Sequence, residues 1–280
     1  MDELTFDLLV VAASILAGTI GSLIGLGGGV IITPVLVLGF GVDIRYAMGA
    51  ALTSVIATSS GAAAAYLRDG ISNMRLGLFL CVATTLGAVG GAMLAVVLNQ
   101  AVLSVIFGAA LLITVALSVR KNPKTDPAGD PSDPLAERLR LPGTMPDGDG
   151  RKPYAVHRVV PGFLMMGVAG ILSGLLGIGS GAFKVVAMDQ IMRIPFKVTT
   201  ATSNFMIGVT AAASVGIYLK RGYLDPALVA PVALGVLAGA FLGARLLPVA
   251  PVKTLRMIFL TLVTLIAVQM VLRGFGINWG

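Results

Sequence analysis

The sequence predicts an all-α polytopic membrane protein made of two internal repeats, inverted relative to one another, each a glycine-broken helix or helical hairpin followed by three transmembrane helices. Three observations predict it. First, 56% of the 280 residues are hydrophobic and only 12% are charged, too apolar for a soluble domain of ordinary composition. Second, several uncharged runs are long enough to cross a hydrocarbon core of about 30 Å once or twice. Third, two glycine clusters, Gly21-Ser-Leu-Ile-Gly25-Leu-Gly27-Gly28-Gly29 and Ser173-Gly-Leu-Leu-Gly177-Ile-Gly179-Ser180-Gly181, interrupt apolar runs at corresponding places. Glycine is a poor helix residue, so the helix should break at both. A break at membrane depth frees N–H and C=O groups that lipid cannot satisfy, so such backbone must pack in protein or line a cavity. Paired interruptions of this kind point to the binding centre of a secondary transporter.

The N-terminus, Met1-Asp2-Glu3, is acidic where a signal peptide is basic, and the first apolar run is far too long for an h-region, so it reads as a retained part of the fold. Leu8 to Val42 is uncharged over 35 residues; as one straight helix it would run about 52 Å, well beyond the bilayer core. It must fold back or break. Gly25 to Gly29 is the natural place, giving a first helix from about residue 7 to 25 and a shorter one from about 30 to 40, with Pro34 in its opening turns. Tyr46 to Leu67 follows, rich in small and hydroxyl residues (Thr53, Ser54, Thr58, Ser59, Ser60), which suits an interior helix in close contact with its neighbours. Leu76 to Val119 is 44 uncharged residues, enough for two spans that turn at Asn99-Gln100. Residues 1–119 form the first transmembrane repeat.

Residues 120–158 change character, with Pro123, Pro127, Pro131, Pro134, Pro142, Pro146 and Pro153 among charged residues. This is a Pro-rich linker outside the bilayer, read as mostly flexible. It holds eight of the twenty Lys and Arg, so the positive-inside rule puts it in the cytoplasm. His157, the only histidine, reads as a solvated interfacial residue, with a proton-sensing role as the alternative.

Residues 159–280 form the second transmembrane repeat, which matches the first at a constant offset of 152. Gly25, Gly27 and Gly29 fall on Gly177, Gly179 and Gly181, Tyr66-Leu67-Arg68 on Tyr218-Leu219-Lys220, Gly87 and Gly91 on Gly239 and Gly243, and Phe107 on Phe259. A local slip of three residues is needed to align Ala51-Leu-Thr53-Ser54 with Thr200-Ala-Thr202-Ser203. The second-half spans are Val159 to Leu176, a short Ala182 to Met192, Val198 to Leu219, Ala227 to Leu247 and Lys253 to Leu272. If each glycine-flanked pair is a hairpin returning to its own side, each half crosses three times and the repeats are inverted; if it is a broken crossing helix, each half crosses four times and they are parallel. Apart from the linker, the inverted arrangement puts seven basic residues inside and four outside, the parallel one five and six. The charges favour inversion, with linker inside and both termini outside.

The formal charge of +7 does not signal nucleic acid, because the basic residues fall between apolar runs and form no aromatic-studded basic face. Cys81 is the single cysteine and lies in an apolar run, so it is a small core residue with no disulfide, redox pair or Cys-based metal site. A nucleotide loop is excluded as well: Val30 stands where G-x-G-x-x-G from Gly25 would need glycine, and no Lys-Ser/Thr follows as a P-loop requires. The spans hold no histidine and one cysteine, which argues against an intramembrane enzyme. No cofactor or metal is called for. Gly87-x-x-x-Gly91 and Gly239-x-x-x-Gly243 are small faces for helix packing.

The candidate substrate-binding residues are Gly27, Gly28, Gly29, Thr53, Ser54, Gly179, Ser180, Gly181, Lys184, Thr202, Ser203 and Asn204. The glycines would line a cavity, and the hydroxyl and amide groups of the two polar sets would reach it from either side. Lys184 stands three residues beyond Gly181, and a cation at membrane depth is a functional residue by default. In the first turn of the second short helix, its charge would add to free N–H groups and attract an anion. Two structural readings stay open beside this: an ion pair with Asp189, or snorkelling to the interface.

These residues resemble the TauE/SafE family of sulfite and organosulfonate exporters over nearly all the chain except the linker. The carriers of the resemblance are Gly25-x-Gly27-Gly28-Gly29-x-x-x-x-Pro34, Gly177-Ile-Gly179-Ser180-Gly181-Ala-Phe-Lys184-Val-Val-Ala-Met188-Asp189 and Thr200-Ala-Thr-Ser-Asn204-Phe-Met-Ile-Gly208. Ser180 stands where the family usually has Gly, and Val186 where a Pro like Pro34 is common. The resemblance implies a multi-pass secondary transporter, an exporter, of small sulfur-containing anions such as sulfite or organosulfonates, in the cytoplasmic membrane of a bacterium or archaeon. The partners are then the anion and the lipid bilayer, with no nucleic acid, and a homodimer as an open alternative. The rival functions are a passive anion channel and transport of another small carboxylate or oxyanion.

Overall fold

The computed structural model describes residues 3–24, 27–68, 70–119, 131–147, 150–246 and 252–275. In the first half, α1 (Glu3–Ile24) is followed by the six-residue α2 (Gly29–Pro34), a π-helical turn (Val35–Gly39), α3 (Ile44–Arg68), α4 (Met74–Val97) and α5 (Gln100–Val119). After α6 (Pro134–Arg138) and an antiparallel hairpin of β1 (Gly143–Asp147) and β2 (Gly150–Tyr154), the second half repeats the order: α7 (Val159–Leu176), α8 (Gly181–Val186), a π-helical turn (Ala187–Ile191), α9 (Phe196–Lys220), α10 (Pro226–Leu246) and α11 (Val252–Gly274). Five of the described helices are long and apolar enough to cross a membrane: Thr5–Ser22 within α1, α4, α7, Lys197–Lys220 within α9 and Pro226–Gly243 within α10. The molecule is a polytopic all-α membrane protein.

Element bounds recur 152 residues apart, with Gly29 and Gly181, Val35 and Ala187, Ile44 and Phe196, Arg68 and Lys220, and Met74 and Pro226 as the pairs. α3 and α9 are both 25 residues, so the three-residue slip expected at Ala51 to Ser54 is absent from the helix bounds. That alignment matched like residue types, threonine with threonine, where the fold matches like positions. Gly25 lies outside the described residues. The short second helix expected from 30 to 40 is split, because the chain widens into the π-helical turn after Pro34. Proline is not the cause, since Val186 precedes the same turn in the second half.

α1 lies along α10 and α4 along α7, so each half lends its first helix to the other. Glycines permit the approach. A Cβ at Gly91 would sit 2.9 Å from the Ile171 carbonyl carbon, one at Gly174 2.7 Å from that of Ala88, and one at Gly239 2.8 Å from the Thr19 nitrogen. The outer face of α4 presents Leu78, Val82, Leu86, Met93 and Val97, all exposed, as lipid requires. α3 packs on α9 and on α10, and α5 on α11.

Contacts at the two ends of the bundle decide how each hairpin runs. In the first half the Phe6 and Phe40 rings meet edge to face at 5.3 Å, so the chain that enters through α1 returns to its starting end. In the second half the His157 N–H donates to the Met192 carbonyl at 3.1 Å, so the segment from α7 to the π-helical turn also returns, at the linker end. The Arg45 guanidinium donates to Leu98 O and that of Arg273 to Val37 O, gathering the start of α3, the end of α4 and the end of α11 opposite the linker. Each glycine-flanked segment thus turns back toward the end at which it begins.

The linker departs from the flexible chain expected of its prolines. Residues 131–147 and 150–158 fold against the bundle, burying Ala136, Leu141, Tyr154 and Val156 with Leu76, Leu80, Val159, Met192, Ile194 and Val198. Asn73 ties this cap down. Its side-chain oxygen accepts the Leu76 N–H at the start of α4, and its Nδ2 donates to Leu141 O at 2.8 Å and to the Tyr154 hydroxyl at 2.7 Å. Burial pushes the Tyr154 phenol above its ordinary value, so it stays protonated.

Two outcomes are expected. A reporter fused after residue 280 reads on the side opposite a reporter inserted near residue 125; both on one side would give the second half an even number of crossings. Asn73→Ala removes a helix cap worth about 1 kcal/mol along with both linker bonds, so thermal unfolding in detergent shifts down and limited proteolysis between residues 131 and 157 accelerates, with Tyr154→Phe showing a smaller shift.

Candidate functional site

The site is built by the two turns where α1 and α7 stop. Gly27 has φ +76° and Gly179 φ +70°, left-handed values that cost a side-chain-bearing residue about 1–2 kcal/mol. Both glycines face the same two side chains, Val55 of α3 and Ile207 of α9: a Cβ at Gly27 would lie 3.7 and 3.9 Å from them, and one at Gly179 3.2 and 2.6 Å. The turns thus meet tip to tip across a layer of two apolar side chains. Gly28, the residue before α2, takes the Ile31 and Ile32 N–H groups on its carbonyl at 3.1 and 3.0 Å. Gly29 opens α2 against Val55, with the Gly177 carbonyl 3.4 Å from where its Cβ would be.

The second turn carries polar side chains that the first lacks. Ser180 has φ +43°, and its hydroxyl donates to Ala169 O at 2.5 Å. The Ser203 hydroxyl reaches the Gly181 carbonyl at 3.5 Å. Lys184 is fully buried, which removes the snorkelling reading. Its ammonium donates to Gly179 O at 3.0 Å and Thr210 Oγ1 at 2.9 Å, and approaches Met206 O at 3.5 Å. Lys184 is the fourth residue of a six-residue helix, so first turn and last turn coincide, and the helix is too short to separate end charges as the sequence reading supposed. The ammonium instead folds back onto the glycine turn.

Thr53 and Ser54 bond back to their own helix, at Gly49 O (3.1 Å) and Ala51 O (2.7 Å). Asn204 does likewise at Thr200 O, at 3.1 Å. Thr202 is buried and its hydroxyl accepts the Asn73 N–H at 3.0 Å, which links α9 to the α3–α4 connection at the linker end. Along the antiparallel pair α3 and α9, Thr53 and Ser54 stand on the opposite-end side of Val55, and Thr202 to Asn204 on the linker-end side of Ile207.

Sequence reasoning missed Thr210, which bonds Lys184, Met206 O and Thr84 Oγ1; a threonine inside a span reads as bonding to its own helix. It also missed Thr33 of α2 and Ser173 of α7, whose buried hydroxyls have no partner among the described residues. The described residues bring together no group of three or more His, Cys, Asp or Glu side chains.

The family model for the sulfite exporter TauE/SafE matches residues 10–270. Among curated proteins, the chain is 30% identical over 279 residues to the "Probable membrane transporter protein YunE" of Bacillus subtilis (strain 168), covering 97% of this chain and 99% of that one. It is 27% identical over 262 residues to the "Probable membrane transporter protein YdhB" of the same organism, covering 91% and 96%. No solved structure gives a significant match.

Ser180 yields a test of the second turn. Ser180→Gly loses one hydrogen bond worth about 1 kcal/mol but relieves a left-handed conformation of similar cost, so its unfolding temperature should match that of the unaltered protein. Ser180→Ala loses the bond and keeps the strain, and should unfold earlier. The reverse order would mean that backbone strain plays no part at this turn.

Proposed function

The chain belongs to the TauE/SafE sulfite exporter family, and from that membership we propose that it is a secondary carrier exporting a small sulfur oxyanion, sulfite or an organosulfonate, across the cytoplasmic membrane. That it is a membrane transporter follows from the family and from relatives named as membrane transporters. We infer the anion, the direction and the membrane from that membership.

The observation that carries it is the Lys184 ammonium. An ammonium in a dry interior is costly unless its charge and its three donors are satisfied. Gly179 O and Thr210 Oγ1 take two donors at ordinary lengths, while Met206 O at 3.5 Å lies beyond the usual 2.7–3.2 Å range. All three acceptors are neutral. An anion oxygen arriving at the second turn would replace the stretched contact to a neutral carbonyl by a bond between opposite charges at about 2.7–2.9 Å. The hydroxyls of Ser173 and Thr33 add unspent donors on the elements flanking the turns. The counterpart of Lys184 at offset 152 is Ile32, so recognition belongs to the second repeat. The basic linker, with eight of the twenty Lys and Arg, supports a cytoplasmic linker end, and outward movement then runs from the capped end to the end that carries the termini.

The experiment is counterflow in proteoliposomes with sulfite and a panel of sulfonates and carboxylates. Saturable counterflow marks a carrier, and flux without counterflow marks a channel. Lys184→Met should insert and fold yet lose flux by about 10- to 100-fold, the worth of one hydrogen bond to a charged group, and Lys184→Arg should fall between because its geometry and hydration differ. Thr210→Val, which removes a lysine partner but leaves the charge, should lower the unfolding temperature while keeping most flux. Normal transport by Lys184→Met would make the lysine a structural pin of the turn and end its role as a ligand.

A further inference from the structure

We propose that Val55 and Ile207 form the steric layer that separates the two ends of the transport path and sets the size of the anion that passes. The proposal rests on the transporter reading and adds to it the residues that discriminate among anions.

Three features of the geometry lead there. Val55 and Ile207 are fully or almost fully buried, at 0% and 1% exposure, on the only two helices that face both glycine turns among the contacts described above. Each turn abuts both side chains, with a Cβ at Gly179 coming within 2.6 Å of Ile207 and one at Gly29 within 2.7 Å of Val55, so neither side chain has room to retract toward a turn without the turn moving. The two residues occupy equivalent positions, since 207 − 55 and 179 − 27 both equal 152. One layer is therefore contributed jointly by both halves.

Such a layer blocks ions by desolvation, because a hydrophobic constriction sheds water and an oxyanion crossing it loses its hydrogen bonds. It also acts as a sieve. When a hairpin shifts, the aperture depends on the branched side chains at positions 55 and 207, and Lys184, anchored to Gly179 O at 3.0 Å, couples anion binding to the very turn that presses on Ile207. Glycine at 27, 29 and 179 keeps the aperture's rim free of side chains.

The test uses the full-length protein in proteoliposomes, with sulfite and the series methane-, ethane- and butanesulfonate as probes. Ile207→Ala and Val55→Ala each remove two or more carbons from the constriction, and the ratio of butanesulfonate to sulfite flux should rise by about tenfold, the discrimination a methylene-sized change in a pocket provides. Ile207→Phe should lower flux of every probe. Ile207→Val, the conservative change, should fold even if the alanine variants do not and should give a smaller shift in the same direction. A second readout needs no knowledge of the substrate: passive leak of thiocyanate through the alanine variants should exceed that of the unaltered protein. If no sulfur anion is carried by the unaltered protein but Ile207→Ala leaks thiocyanate, the layer stands and the substrate reading falls. If a folded Ile207→Ala or Ile207→Val leaves both the probe ratio and the leak unchanged, the layer does not set passage and the proposal is overturned.

Discussion

Two helices that stop in the middle of the bundle set the terms for the rest of the structure. Where α1 and α7 end, main-chain N–H and C=O groups face an interior in which neither lipid nor bulk water can pair with them, and each unpaired group would cost several kcal/mol. The two halves solve this differently. In the first turn the backbone serves itself, with Gly28 O taking two N–H groups. In the second turn the backbone does the same at Ser180 O, which takes the Lys184 N–H, and side chains are added: Ser203 reaches Gly181 O and Lys184 reaches Gly179 O, while Ser180 fastens the turn to α7. Because both turns must be enclosed by protein, α3 and α9 are drawn against them, and the outer pairs α1 with α10 and α4 with α7 close around that centre.

Equivalent backbones with unequal chemistry follow from this. Thr58 and Thr210 are 152 residues apart, so both halves place a threonine at the same site on their inner helix. Among the described residues Thr58 bonds within α3, at Ser54 O and Val55 O. Thr210 does the same at Met206 O and also receives the Lys184 ammonium. Where the first half has Ile32, fully buried and apolar, the second has a lysine, and that one exchange turns a packing position into a charged one.

The features written into local composition were legible in the sequence. A 35-residue uncharged run cannot be one crossing helix, glycines mark where it breaks, and both inferences need nothing beyond the bilayer's thickness. The register of α3 against α9 was harder, because a Thr-Ser pair in each half tempted an alignment by residue type, whereas Val55 and Ile207 pair by position and share only branching. Leu141, Tyr154 and Val156 sit among prolines and charges with no periodicity to announce burial, and their partners, Leu76 and Ile194 among them, are far away in sequence. Lys184 was visible as an anomaly, but its partners were not, since Thr210 is one hydroxyl among many within the spans.

The cap that docks on Asn73 has a consequence for energetics rather than for architecture. The two halves already differ in chemistry at their turns, and the segment that joins them adds a second asymmetry. The segment that joins the copies can sit at one end only, and the apolar contacts and hydrogen bonds it makes there are lost if that end opens and kept if the other does. The connection thereby adds to the difference between the halves, through contacts made at a distance from the glycine turns.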